Sequence, residues 1–134
     1  MMVLYTIAAT IALCIALPLG LVGRLFGKTM LIRRLYPPRD LPDTAGKRVW
    51  IHAASMGESG IAFSLAGELR KRDPRTAVFI STMTRTGYER ILAMNGDDGP
   101  VAAVLVAPLD HPVVVGRFIK RLRPDAFILV ETEI

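Results

Sequence analysis

Four short, almost wholly apolar runs, at residues 48–53, 77–82, 101–107 and 126–130, constrain this chain more than any other feature. Each is short for a helix, so each is expected to be a buried strand. The intervals between them read as helices. Ile61, Leu65 and Leu69 recur at helical spacing with Ala62 and Ala66 beside them, and Asp73-Pro74 stops that segment. A second helix is expected from about Thr86 to Met94, ended by Asn95-Gly96. A third is expected to be capped by Asp110, with Pro112 in its first turn, and to run to about Arg123, where Pro124 ends it. Strands that are apolar throughout and alternate with helices imply a parallel sheet covered on both faces. Right-handed crossovers then give an α/β, Rossmann-like half-fold. At 134 residues the chain has the size of one domain.

Ligands of such sheets bind beyond the carboxyl ends of the strands. Three polar clusters fall there: Ser55-Met-Gly-Glu58 after the first strand, Thr82-Met-Thr-Arg-Thr-Gly87 after the second, and Glu131-Thr-Glu133 after the fourth. Pro108-Leu-Asp-His-Pro112 follows the third strand at the same edge. Residues 55–59 read as a loop in which Gly57 lets the backbone approach a ligand. Glu58 stands at a helix N-terminus, where the dipole favours its ionised form. Two roles remain open for it, a general base or a helix cap. Thr82, Thr84, Arg85 and Thr86 suit a phosphate or a sugar hydroxyl, and Thr84 or Thr86 equally suits capping. Glu131 and Glu133 stand two residues apart at the end of the fourth strand. Gly57 and Gly60 do not make a dinucleotide fingerprint, and no Walker A motif is present. His52 and His111 show no paired spacing and Cys14 is the single cysteine, so no metal site is expected. His52 reads as a strand residue and Trp50 as core.

The N-terminal part has a different character. No charged side chain precedes Arg24, and residues 3–22 are about long enough, at 1.5 Å per residue, to span a hydrocarbon core. The absence of a positive n-region argues against a signal peptide. The bulky Leu13 before Cys14 argues against a lipoprotein site. Residues 1–23 are therefore expected to form a membrane anchor helix, a transmembrane or deeply inserted segment. Residues 24–47 form a basic collar and Pro-rich linker. From Arg24 to Arg48 there are seven basic residues against Asp40 and Asp43, while the rest of the chain is balanced. The collar places the remainder at the cytoplasmic face of an inner membrane, with Arg24, Lys28, Arg33 and Arg34 among anionic headgroups. A pI of 9.9 thus does not signal a nucleic-acid binder, because the basic excess lies beside the apolar run.

Taken in order, His52-Ala-Ala-Ser-Met-Gly-Glu58, Ser81-Thr-Met-Thr-Arg-Thr-Gly87, Ala107-Pro-Leu-Asp-His-Pro112, Arg123-Pro-Asp and Val130-Glu-Thr-Glu133 resemble the N-terminal, acceptor-side part of the Kdo (3-deoxy-D-manno-octulosonic acid) transferases of lipopolysaccharide synthesis. The resemblance implies half of a GT-B arrangement of two Rossmann-like domains. On that basis residues 48–134 are an incomplete N-terminal glycosyltransferase domain. The partners it implies are the lipid A precursor (lipid IVA), the inner membrane, and CMP-Kdo held by a missing C-terminal domain. It implies an inverting, metal-independent transfer with no cofactor beyond that donor. Glu58 becomes the catalytic base, and Ser55, Gly57, Thr82, Thr84, Arg85, Thr86, Gly87, Glu131 and Glu133 line the acceptor side. A chain ending at Ile134 is expected to be inactive alone. The competing expectation is a non-catalytic, membrane-anchored lipid-binding remnant of the same fold.

Overall fold

The computed structural model describes residues 2–25 and 29–132, with side chains described for residues 3–18 and 29–132. Lys28, Glu133 and the side chain of Arg24 lie outside that set. The chain divides into two compact units, residues 1–37 with 108–121, and residues 38–107 with 122–134.

The second unit carries the sheet. Strands β1 (Arg48–Ala53), β2 (Ala77–Thr82), β3 (Val101–Val106) and β4 (Ala126–Val130) are all parallel and lie in the order β3-β2-β1-β4. All four fall where the apolar runs place them, and β2 is buried along its whole length on both faces. On one face Val49, Ile51, Ala53, Val78, Ile80 and Val130 join Ala62, Ala66 and Ile91 in the core. The alanines belong to α3 (Met56–Arg72), and Ile91 to α4 (Arg85–Asn95). The other face carries Trp50 in register with Phe79 and Phe127, the Trp50 and Phe127 rings meeting edge to face at 5.1 Å. Coverage of both faces fails at β4, where Phe127 is 55% and Leu129 51% exposed. In this sheet β4 is an edge strand, with β1 on one side only.

The strand order has one consequence for function. From β1 the chain winds outward to β2 and β3, then returns to the opposite side of β1 as β4. The winding direction therefore reverses between β1 and β4. Crevices of this kind, at the carboxyl ends of the strands, are where α/β sheets bind ligands.

The first unit holds α1 (Met2–Leu25), α2 (Thr29–Leu35) and nearly all of α5 (Pro112–Leu122). The collar is thus not all linker, since Arg33 and Arg34 close a short helix. The expected membrane anchor requires correction. Among the described residues no helix is long and apolar enough to cross a membrane. The transmembrane reading, and the inner-membrane location and headgroup contacts built on it, fall with that span. The described part of α1 is interrupted by hydroxyls with protein partners. Tyr5 donates to Asp110 at 2.5 Å, Thr10 donates to the Thr6 carbonyl at 2.6 Å, and Thr10 Oγ1 lies 3.4 Å from His111 Nε2. Leu13 is buried, and Pro18 lies inside the helix.

The start of α5 also differs from expectation. His111, not Asp110, occupies the cap: its Nδ1 accepts from the Val113 N–H and its carbonyl from the Val115 N–H. Asp110 is engaged instead by the Tyr5 hydroxyl.

Candidate functional site

The turn after β1 is no loop. Helix α3 begins at Met56, because Ser55 and Glu58 form a complete capping box: the Glu58 N–H donates to Ser55 Oγ at 3.2 Å, and the Ser55 N–H donates to Glu58 Oε2 at 2.9 Å. The other carboxylate oxygen reaches across the winding reversal. Glu58 Oε1 accepts from the Thr132 hydroxyl at 3.2 Å and from the Thr132 N–H at 3.4 Å. Glu58 thus ties the segment after β1 to the segment after β4 and is only 8% exposed. The Ser55 N–H, and after it the two Thr132 donors and the Ser55 hydroxyl, hold its carboxyl below the usual range, against burial, which pushes it up. The carboxylate is therefore ionised at neutral pH.

Beside it stands His52, the penultimate residue of β1, paired in register with Ser81 on β2 and Leu129 on β4. Its ring is half-buried, and Nδ1 lies 2.9 Å from Ser81 Oγ. Ser81 is fully buried and accepts the Trp50 indole N–H at 2.8 Å. Burial lowers the His52 pKa, while a hydrogen bond with the Ser81 backbone and the nearby Glu58 charge pull the other way.

After β2, Thr84 is the N-cap of α4, accepting from the Gly87 N–H at 3.1 Å, so of the two expected caps Thr84 holds the position. Thr86 donates to Thr84 Oγ1, and the buried Thr82 donates to the Thr84 carbonyl. Arg85 is exposed and paired with Glu89 at 2.7 Å. Gly87 is required by packing: a Cβ there would lie 3.1 Å from Thr84 Oγ1, 3.2 Å from Ser59 Oγ and 3.3 Å from Thr82 Cβ. The first turns of α3 and α4 therefore touch. Gly57 has no such constraint, its nearest neighbour being Ser55 Oγ at 3.9 Å.

The structure thus gathers Ser55 and Glu58 with the strand end after β4, and Thr82, Thr84 and Gly87 with the start of α3. Glu131 is exposed, and Glu133 lies outside the described residues. Thr132, between them, is the residue that reaches Glu58, and no local pattern marks it, because the contact depends on β4 lying beside β1. Ser81 escaped the sequence reading, although its register with a histidine on a parallel neighbour was a usable signal.

Fold and site together define an α/β parallel-sheet domain of Rossmann type with a polar cluster at its winding reversal. Its relatives make the assignment specific. Residues 28–134 match the family described as 3-deoxy-D-manno-octulosonic-acid transferase (kdotransferase), and the chain belongs to that family. It is 37% identical over 86 residues to the 3-deoxy-D-manno-octulosonic acid transferase of Haemophilus influenzae, covering 64% of this chain and 19% of that protein. The enzyme of the same name from Rickettsia felis is 29% identical over 86 residues, 64% of this chain and 18% of the relative. That from Chlamydophila psittaci is 25% identical over 106 residues, 79% and 24%. The chain thus spans about a fifth of the length of these curated relatives. No solved structure matches it significantly.

Proposed function

We propose that this chain supplies the acceptor side of a transferase that moves Kdo from CMP-Kdo onto the lipid A precursor, by an inverting, metal-independent displacement. The acceptor hydroxyl loses its proton to Glu58, its oxygen bonds to the anomeric carbon of Kdo, and the bond from that carbon to the CMP phosphate breaks with CMP leaving. Donor binding belongs to residues outside the acceptor half. The observation that carries this reading is the place of Glu58: an ionised, nearly buried carboxylate at the winding reversal between β1 and β4, where ligands of such sheets are received. Thr84, Thr86 and Arg85 are assigned to the same acceptor, as hydroxyl and guanidinium partners of a phosphorylated sugar, while the buried Thr82 holds the Thr84 carbonyl.

One observation favours a non-catalytic, lipid-binding role instead: both oxygens of Glu58 already have donors. Kinetics of the complete transferase carrying this sequence separate the two. Glu58→Gln keeps the shape but removes the basic site, and turnover should fall by about 10² or more, with acceptor affinity little changed. Near-normal turnover in Glu58→Gln, with loss in Glu131→Gln or Glu133→Gln, would reduce Glu58 to a helix cap.

A further inference from the structure

Histidine 52 has a brace that its role as a strand residue does not require. The indole Nε1 of Trp50 can only donate, so the buried Ser81 Oγ accepts from it at 2.8 Å. The same Oγ meets His52 Nδ1 at 2.9 Å. The buried Ser81, itself engaged by Trp50, therefore holds one edge of the imidazole and restricts the ring's orientation. The other ring nitrogen, Nε2, has no hydrogen-bond partner among the described residues. The ring is half-buried, one residue from the carboxyl end of β1, beside the β1/β4 reversal and within range of the Glu58 charge. Fixing one nitrogen of a histidine and leaving the other unengaged is the arrangement by which proteins orient an imidazole toward a ligand.

We propose that His52 is a second functional residue of the acceptor edge, contacting a hydroxyl of the acceptor sugar through Nε2, with Ser81 as the positioning residue that fixes the ring. This rests on the acceptor-side reading of the chain and extends it. Glu58 and His52 then address the sugar from the two sides of β1's end: the carboxylate takes the proton of the reacting hydroxyl, and the imidazole sets which hydroxyl is presented.

The test uses the complete transferase carrying this sequence, with CMP-Kdo and the lipid A precursor as probes. His52→Asn keeps an amide near the Nδ1 position and deletes Nε2, whereas His52→Gln carries an amide nearer the Nε2 position. His52→Asn should lower kcat/KM for the acceptor by about tenfold or more at unchanged Tm, the scale of one lost hydrogen bond, with His52→Gln recovering part of it. Ser81→Ala should raise KM for the acceptor while leaving KM for CMP-Kdo alone. In the wild-type protein the His52 Cε1–H resonance should move on adding acceptor and stay in place on adding CMP-Kdo, a readout that needs no variant to fold. An active wild type in which His52→Asn stays within about twofold, or in which the resonance ignores the acceptor, overturns the role of His52 and leaves the acceptor-side reading intact. A wild type that neither binds nor glycosylates the acceptor overturns both.

Discussion

Two glycines in the first turns of neighbouring helices should respond to alanine with opposite signs. At Gly87 the new Cβ would stand 3.1–3.3 Å from Thr84 Oγ1, Ser59 Oγ and Thr82 Cβ. None of the three can retreat freely. Thr84 is the N-cap of α4, Ser59 is fully buried with its hydroxyl on the Ser55 carbonyl, and Thr82 is fully buried on β2. Helix α4 must therefore move as a body by a few tenths of an ångström. Overpacking of this kind costs about 1–3 kcal/mol. Replacing a helical glycine by alanine returns about 0.5–1 kcal/mol, so Gly87→Ala should be destabilised by up to about 2.5 kcal/mol. Gly57→Ala meets only Ser55 Oγ at 3.9 Å and should gain about 0.5–1 kcal/mol. The single tryptophan, Trp50, is buried in the sheet, so its fluorescence through a urea titration reports unfolding of that unit specifically. Gly87→Ala at or above wild-type stability, or Gly57→Ala below it, would show that the close approach of α3 and α4 is misjudged.

Ser55→Ala removes the acceptor of the Glu58 N–H and should cost about 1 kcal/mol in the same titration; no change would mean the capping box is not formed in solution. Glu58 has a folded-state pKa below its ordinary value of 4.5, so the stability it contributes is complete above that value and is lost as pH falls through the lowered one. The acid limb of the stability–pH curve should therefore flatten in Glu58→Gln, and an unaltered limb would place the carboxylate in free solvent.

Legibility in the sequence followed the physics of each element. The four strands could be read because each is a nearly unbroken apolar run, and this held even at β4, where Phe127 and Leu129 are exposed. Helix α3 begins four residues earlier than the loop reading of residues 55–59 allows, since Ser-x-x-Glu at 55–58 is a capping box. At α5 the expected cap was the better capping residue by type, yet Asp110 bonds Tyr5, a partner 105 positions away that no local rule reaches. Length and composition proposed a membrane span over residues 3–22, because hydropathy counts a threonine hydroxyl without asking whether a folded partner takes it. The site divides in the same way. Ser55, Glu58 and Thr84 announce themselves by spacing, whereas the bond from Thr132 to Glu58 exists only because β4 lies beside β1.

The same bonds bear on whether capping and catalysis compete at Glu58. A general base works best with a pKa near the working pH, and donors that lower the pKa weaken it. The two oxygens of Glu58 are not held alike, however. Oε2 is fixed at 2.9 Å by the backbone of the N-cap, as one half of the capping box that starts α3. Oε1 is held by Thr132 through contacts of 3.2 and 3.4 Å at the end of an edge strand. An acceptor hydroxyl exchanging for the threonine hydroxyl would direct its own proton at Oε1 while the cap keeps the carboxylate oriented, and the Thr132 hydroxyl is one of the donors that depress the proton affinity of Glu58 in the free protein. Thr132→Val, which lacks that hydroxyl from the outset, should therefore raise the Glu58 pKa in the free protein, as read by carboxyl carbon NMR, and shift the acidic limb of kcat/KM upward in pH by the same amount. A raised pKa with an unmoved limb would separate the Thr132 bond from the chemistry and return Glu58 to its role as a cap.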